Sequence, residues 1–160
     1  MKKKVFGSIF GLLAIACFIL SLVAFFSVYY PTINIDETKL QYYVVSSYDD
    51  HSITCEGDKK LTFDKYAAEL FDIEQFRRTI CAGDQIFARV NSVELENNSS
   101  ELAVYSVINA ENEFLSLDKL NECYESSTTS AALILTFGIL LTAGFSVISI
   151  LLLIKNKANR

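Results

Sequence analysis

The chain has 160 residues with 19 acidic and 14 basic side chains, a net charge of −5, and about half of it is hydrophobic. That length leaves room for one small domain beside any membrane segments, and the acidic balance excludes a nucleic-acid partner, which needs clustered bases. Six glycines and one proline leave no material for a phosphate-cradling loop or a low-complexity tract.

Residues 1–4 bring Lys2, Lys3 and Lys4, and the 26 residues of 5–30 that follow carry no charge and no proline. At about 1.5 Å rise per residue such a run crosses a hydrocarbon core of about 30 Å, so a first transmembrane helix is expected over 5–30. The three lysines hold residues 1–4 in the cytoplasm. A cleaved signal would end its apolar run after roughly 7 to 15 residues. A lipoprotein site at Leu13-Ala14-Ile15-Ala16-Cys17 is disfavoured by Ala14, where a larger aliphatic residue is usual, and by the lipid-compatible run after Cys17. Tyr29 and Tyr30 then anchor the outer interface, and Pro31 ends the helix.

Residues 31–130 form the expected extracytoplasmic domain. Leu40 to Val45 reads as a first strand, Ile53 and Cys55 as a second after the Asp49-Asp50-His51 turn, and Leu61 with Phe63 as a third. From Tyr66 to about Ile80 the period becomes helical, with Asp72 a candidate N-cap and Gln75 three residues on. Ile86, Ala88 and Val90 alternate in a fourth strand running on to Val93, Asn97-Asn98-Ser99-Ser100 turns the chain, and Leu102 to Asn109 returns as the fifth. Phe114, Leu115 and Leu117 then lead through a short helical stretch toward the membrane. This order matches an OB-like five-stranded barrel, with an SH3-like barrel as the alternative.

A second transmembrane helix is expected over 131–154, again without charge, followed by a cytoplasmic tail at 155–160 with Lys155, Lys157 and Arg160. The fold class is therefore a membrane protein of two transmembrane helices flanking a small β-rich α+β domain, with both termini cytoplasmic. Six bases and no acids lie at the two ends, so eight bases meet all 19 acids in between, a net −11. Gly7 and Gly11 in the first helix, and Gly138, Thr142 and Ser146 in the second, are expected to form helix-packing faces. Neither helix holds Asp, Glu, Lys, Arg, His, Asn or Gln, which argues against a channel or transporter.

With Phe71-Asp72-Ile73-Glu74-Gln75-Phe76, then Gly83-Asp84-Gln85-Ile86, a hairpin and a final membrane helix, the chain resembles small two-pass bacterial membrane proteins of unknown function with an extracytoplasmic β-domain. The resemblance implies a membrane setting and no particular activity.

No catalytic constellation is recognisable, and neither a cofactor nor a metal is expected. Asp49, Asp50 and His51 lack the ligand spacing of a defined metal site, although an envelope enzyme or metal-dependent site built on them is the alternative function. Tyr42, Tyr43 and Tyr48 are candidate ligand-facing aromatics on an OB-like surface. Cys81 and Cys123 are the expected disulfide pair, leaving Cys55 as a buried free thiol. The expected function is a non-enzymatic two-pass membrane protein whose outer domain binds a protein or glycan partner, as an accessory subunit of an envelope complex.

Overall fold

The computed structural model describes residues 2–157, which divide into two compact units, one spanning Pro31–Glu125 and the other made by the two long helices. Met1 and positions 158–160, which end the tail expected at 155–160, lie outside the described residues.

Five strands close a barrel in Pro31–Glu125: β1 (Thr38–Tyr48), β2 (Ser52–Cys55), β3 (Lys59–Thr62), β4 (Gln85–Asn91) and β5 (Glu101–Ile108). β1 pairs antiparallel with β2 and β4, β2 with β3, and β4 with β5; the circle shuts where β3 runs parallel to β5 through Leu61 and Leu102. Lys59 secures that seam, its ammonium donating to Asn98 Oδ1 at 2.8 Å and to the Ser99 carbonyl at 2.7 Å. A short sixth strand, β6 (Glu113–Leu115), adds to the end of β5.

The barrel fills by period-two alternation. Ile53, Leu61, Ile86, Ala88, Val90, Leu102 and Val104 are all buried, and their strand neighbours, the buried Ser52 excepted, are half-buried or exposed. Phe63, Phe71, Phe76 and Phe114 extend this core as a chain of ring contacts with centroids 4.5, 5.1 and 5.0 Å apart. Each such ring contributes on the order of 1.5–3 kcal/mol by leaving water.

The single helix expected over 66–80 is two, α2 (Lys65–Leu70) and α3 (Ile73–Thr79). Asp72 is the cause. Its carboxylate accepts the Gln75 N–H at 2.9 Å and starts a new helix, while Asp64 does the same for Ala67 at 2.8 Å. Asn91 likewise stops β4 two residues before the expected Val93: its side chain accepts from the N–H groups of Val93 and Glu94, opening α4 (Ser92–Glu96) in place of a plain turn. Asn98 then closes α4 in the left-handed region at φ 53°.

The short helical stretch after β6 and the second apolar run are one helix, α5 (Leu117–Lys157). The polar run Ser126–Ser130 contains no glycine or proline to break it, and Ser130 folds its hydroxyl back onto the Ser126 carbonyl at 3.0 Å. Together with α1 (Lys2–Val28), it is long and apolar enough to cross a membrane.

The second unit is the antiparallel pair of α1 and the later part of α5. Gly7 receives Leu153, Gly11 lies 3.5 Å from Ser149 Oγ measured from where its Cβ would stand, and Gly138 packs so closely on Ser21 that a Cβ there would overlap the serine side chain. Thr142 and Ser149 reach the facing backbone, with Ser149 donating to the Gly7 carbonyl at 2.7 Å. At the other end Ser127 donates to the Val28 carbonyl, and Thr128 to that of Tyr30 at 2.6 Å. The first satisfies a carbonyl that α1 leaves without a helical partner at its C-terminus, and the second holds the chain just beyond it.

Candidate functional site

Strand pairing sorts the three candidate tyrosines. Tyr42 and Tyr43 are sequence neighbours on one strand, so their side chains leave it on opposite faces. Tyr42 is 49 % exposed on the outer face, where it stands across from Phe87 of β4, the rings meeting edge-on at 6.1 Å. Leu40, two residues earlier on the same face, is 46 % exposed, and Phe87 itself is 43 % exposed. Three large apolar side chains thus form one open strip across β1 and β4.

Tyr43 corrects the sequence reading. It is half-buried, and its hydroxyl is fully covered with no hydrogen-bond partner among the described residues. Burial, helped by the nearby Cys55, pushes this phenol up to about 12. Tyr48 is a second correction. The β-bulge between Val45 and Ser47 shifts the register, and the ring of Tyr48 packs edge-on against Phe76 at 5.1 Å as part of the aromatic core. A ligand face on β2 and β3 also finds no aromatic residue there: Thr54, Lys60 and Thr62 are what alternate with the buried Ile53, Cys55 and Leu61.

The turn of Asp49, Asp50 and His51 is occupied with its own geometry. Asp49 accepts the His51 N–H at 2.8 Å and the Ser52 hydroxyl at 2.9 Å, which together hold its carboxyl below the usual range. Asp50 pairs with Arg77 at 2.7 Å. Asp50 and His51 line a cavity of about 380 Å³ together with Phe63, Asp64, Lys65 and Glu69. Among the described residues no three His, Cys, Asp or Glu side chains gather closely enough to hold a metal ion.

The Cys81–Cys123 bridge is not formed, and the four cysteines are free thiols. Cys81 is exposed in the turn before β4, where its N–H is held by Asp84 Oδ2 at 2.7 Å, and Cys123 is half-buried on α5. Cys55 is the buried free thiol expected on β2, and burial pushes it up to about 11.

Of the helix-packing residues, Gly7, Gly11, Gly138 and Thr142 lie in the α1–α5 contact. Ser146 is half-buried on α5, and Ser21 and Ser149, not singled out in the sequence, also lie in this contact. Helical geometry explains why Ser149 joins the face. Steps of four residues drift by about 40° each, so a stripe begun at Gly138 has turned about 80° by Ser146, while 11 residues make three turns plus about 20° and return to the face at Ser149.

Compared with known proteins, the chain matches no family model, no curated protein and no solved structure.

Proposed function

We propose that this is a non-enzymatic two-pass membrane protein whose outer barrel binds a protein or glycan partner, as an accessory subunit of an envelope assembly. The observation that carries the binding role is the strip of Leu40, Tyr42 and Phe87. It leaves three large apolar side chains in water on a segment of net charge −11, where they serve no packing in the barrel core. Contiguous exposed apolar groups of this kind are what interaction sites use.

The membrane setting is supported by the outward faces of α1 and α5, where Leu12, Leu20, Phe26, Leu133, Phe137 and Leu140 are each more than 60 % exposed. The core helices of a water-soluble protein bury such side chains. The pairing of the barrel strands, with a parallel closure of β3 on β5, supports the OB-like reading over the SH3-like one.

A photo-crosslinking amino acid placed at Tyr42 or Phe87 in intact cells tests the binding surface. Adducts are expected at both positions and not at Thr62 on the β3 face. Equal labelling at all three positions, or none at Tyr42 and Phe87, refutes the assignment of the strip.

A further inference from the structure

Among the described residues the first half of β1 has a strand neighbour on one side only. It pairs with β4 over Thr38–Val44, but β2 begins to pair only at Val45. On the β4 side Val45 donates its N–H to the Asp84 carbonyl at 2.9 Å, and on the other side the Val44 carbonyl accepts the Glu56 N–H at 2.9 Å. An antiparallel ladder alternates these directions residue by residue. Gln41 and Tyr43 therefore bond to β4, while the N–H and C=O groups of Leu40 and Tyr42 point away from it, along an edge with no strand beside it.

These are the same two residues whose side chains stand exposed, so backbone donors and acceptors and apolar contacts are offered together. The usual protections of an edge are missing from this stretch. It holds no proline, the β-bulge lies beyond it between Val45 and Ser47, and its one lysine, Lys39, is drawn to Glu96 at 2.6 Å. Acidic side chains stand at both ends of the edge, Asp36 and Glu37 before β1 and Glu56 and Asp58 in the turn beside Val44, all of them exposed. A second copy of the chain would bring two segments of net −11 together, which like-charge repulsion opposes.

We infer that the open edge of β1 at Leu40 and Tyr42 accepts an extended basic peptide as an added strand. Main-chain bonds to Leu40 and Tyr42 hold it, alternate apolar side chains lie on the strip, and basic side chains meet the acids at the ends. The inference rests on the reading of the strip as a binding surface and specifies its partner as a peptide.

The test uses the full chain in detergent and a short peptide alternating lysine and valine. Amide exchange followed by NMR is expected to slow at Leu40 and Tyr42 when the peptide binds, with Gln41 and Tyr43 protected beforehand. Binding should weaken about tenfold or more when the peptide is N-methylated on its pairing edge, when glutamate replaces its lysines, and in Leu40→Pro. Proline fits a strand edge whose N–H faces solvent, so that variant keeps the barrel; Tyr42→Lys, which adds a repelling charge, is the second variant. Unchanged exchange at Leu40 and Tyr42 under saturating peptide, or equal binding of the N-methylated peptide, overturns the inference. So does concentration-dependent protection of these amides without peptide, which would place a second copy on the edge. Tyr42 crosslinks that persist in Leu40→Pro would preserve the strip as a binding surface and overturn strand addition.

Discussion

Tyr43 holds a hydroxyl that folding removes from water without giving it a partner among the described residues. Such a group costs free energy to bury, so Tyr43→Phe is expected to leave stability unchanged or raise it by up to about 1 kcal/mol, read from the denaturant midpoint. The same burial sets a pH dependence. The phenol moves from 10.0 to about 12 and the Cys55 thiol from 9.0 to about 11, both raised in the folded chain. The unfolded chain therefore loses these protons first. Stability is full below about pH 9 and falls as the pH rises through 11 toward 12, and Tyr43→Phe should remove the upper part of that fall in melting temperature. Thiol reactivity separates the cysteines on the same grounds: Cys81, exposed, should be alkylated in the native protein, and Cys55 only on unfolding. A native Cys55 that reacts as fast as Cys81 would contradict its burial.

The elements that sequence reveals and those it hides differ in the range of the interaction that makes them. Ile86, Ala88 and Val90 declare β4 by local alternation, and the structure keeps them buried as read. The sequence shows Asp72 as a cap, yet that this cap breaks a helical stretch rather than begins it depends on Asp64 having already started one upstream. The missing bridge and the β-bulge before Tyr48 are set by pairing between segments distant in sequence, which no local pattern carries. For the same reason the sequence marks Leu40 as a strand residue and not as part of a surface; which face of β1 points outward is settled by its pairing within the barrel. In the helical pair, Gly138→Leu should drive a side chain into Ser21 and loosen the contact by roughly 1–2 kcal/mol, and Ser149→Ala should cost about 0.6 kcal/mol through its lost bond to Gly7. Unfolding in mixed micelles measures both, and the reverse ranking would mean that hydroxyl bonding outweighs close approach.

At the level of the whole chain, charge partition carries the expected topology. Six bases at the ends against a middle of −11 predict that a cysteine introduced as Ser99→Cys is labelled from outside intact cells and one introduced as Asn159→Cys is not. Labelling of both, or of neither until the cells are opened, would overturn that orientation. Each unit also closes its own ends. Asn121 accepts the Ile33 N–H at 2.7 Å and donates to the Ile33 carbonyl at 3.0 Å, so the chain's way into the barrel unit and its way out are pinned 88 residues apart in sequence. A few residues further along, Ser127 and Thr128 do the same for Val28 and Tyr30 within the helical pair. The barrel is thus a cassette inserted into a hairpin that has its own clasp. Exchanging residues 31–125 for a foreign domain with neighbouring termini should leave the clasp and the glycine contacts of α1 and α5 in place, which makes the hairpin a portable anchor.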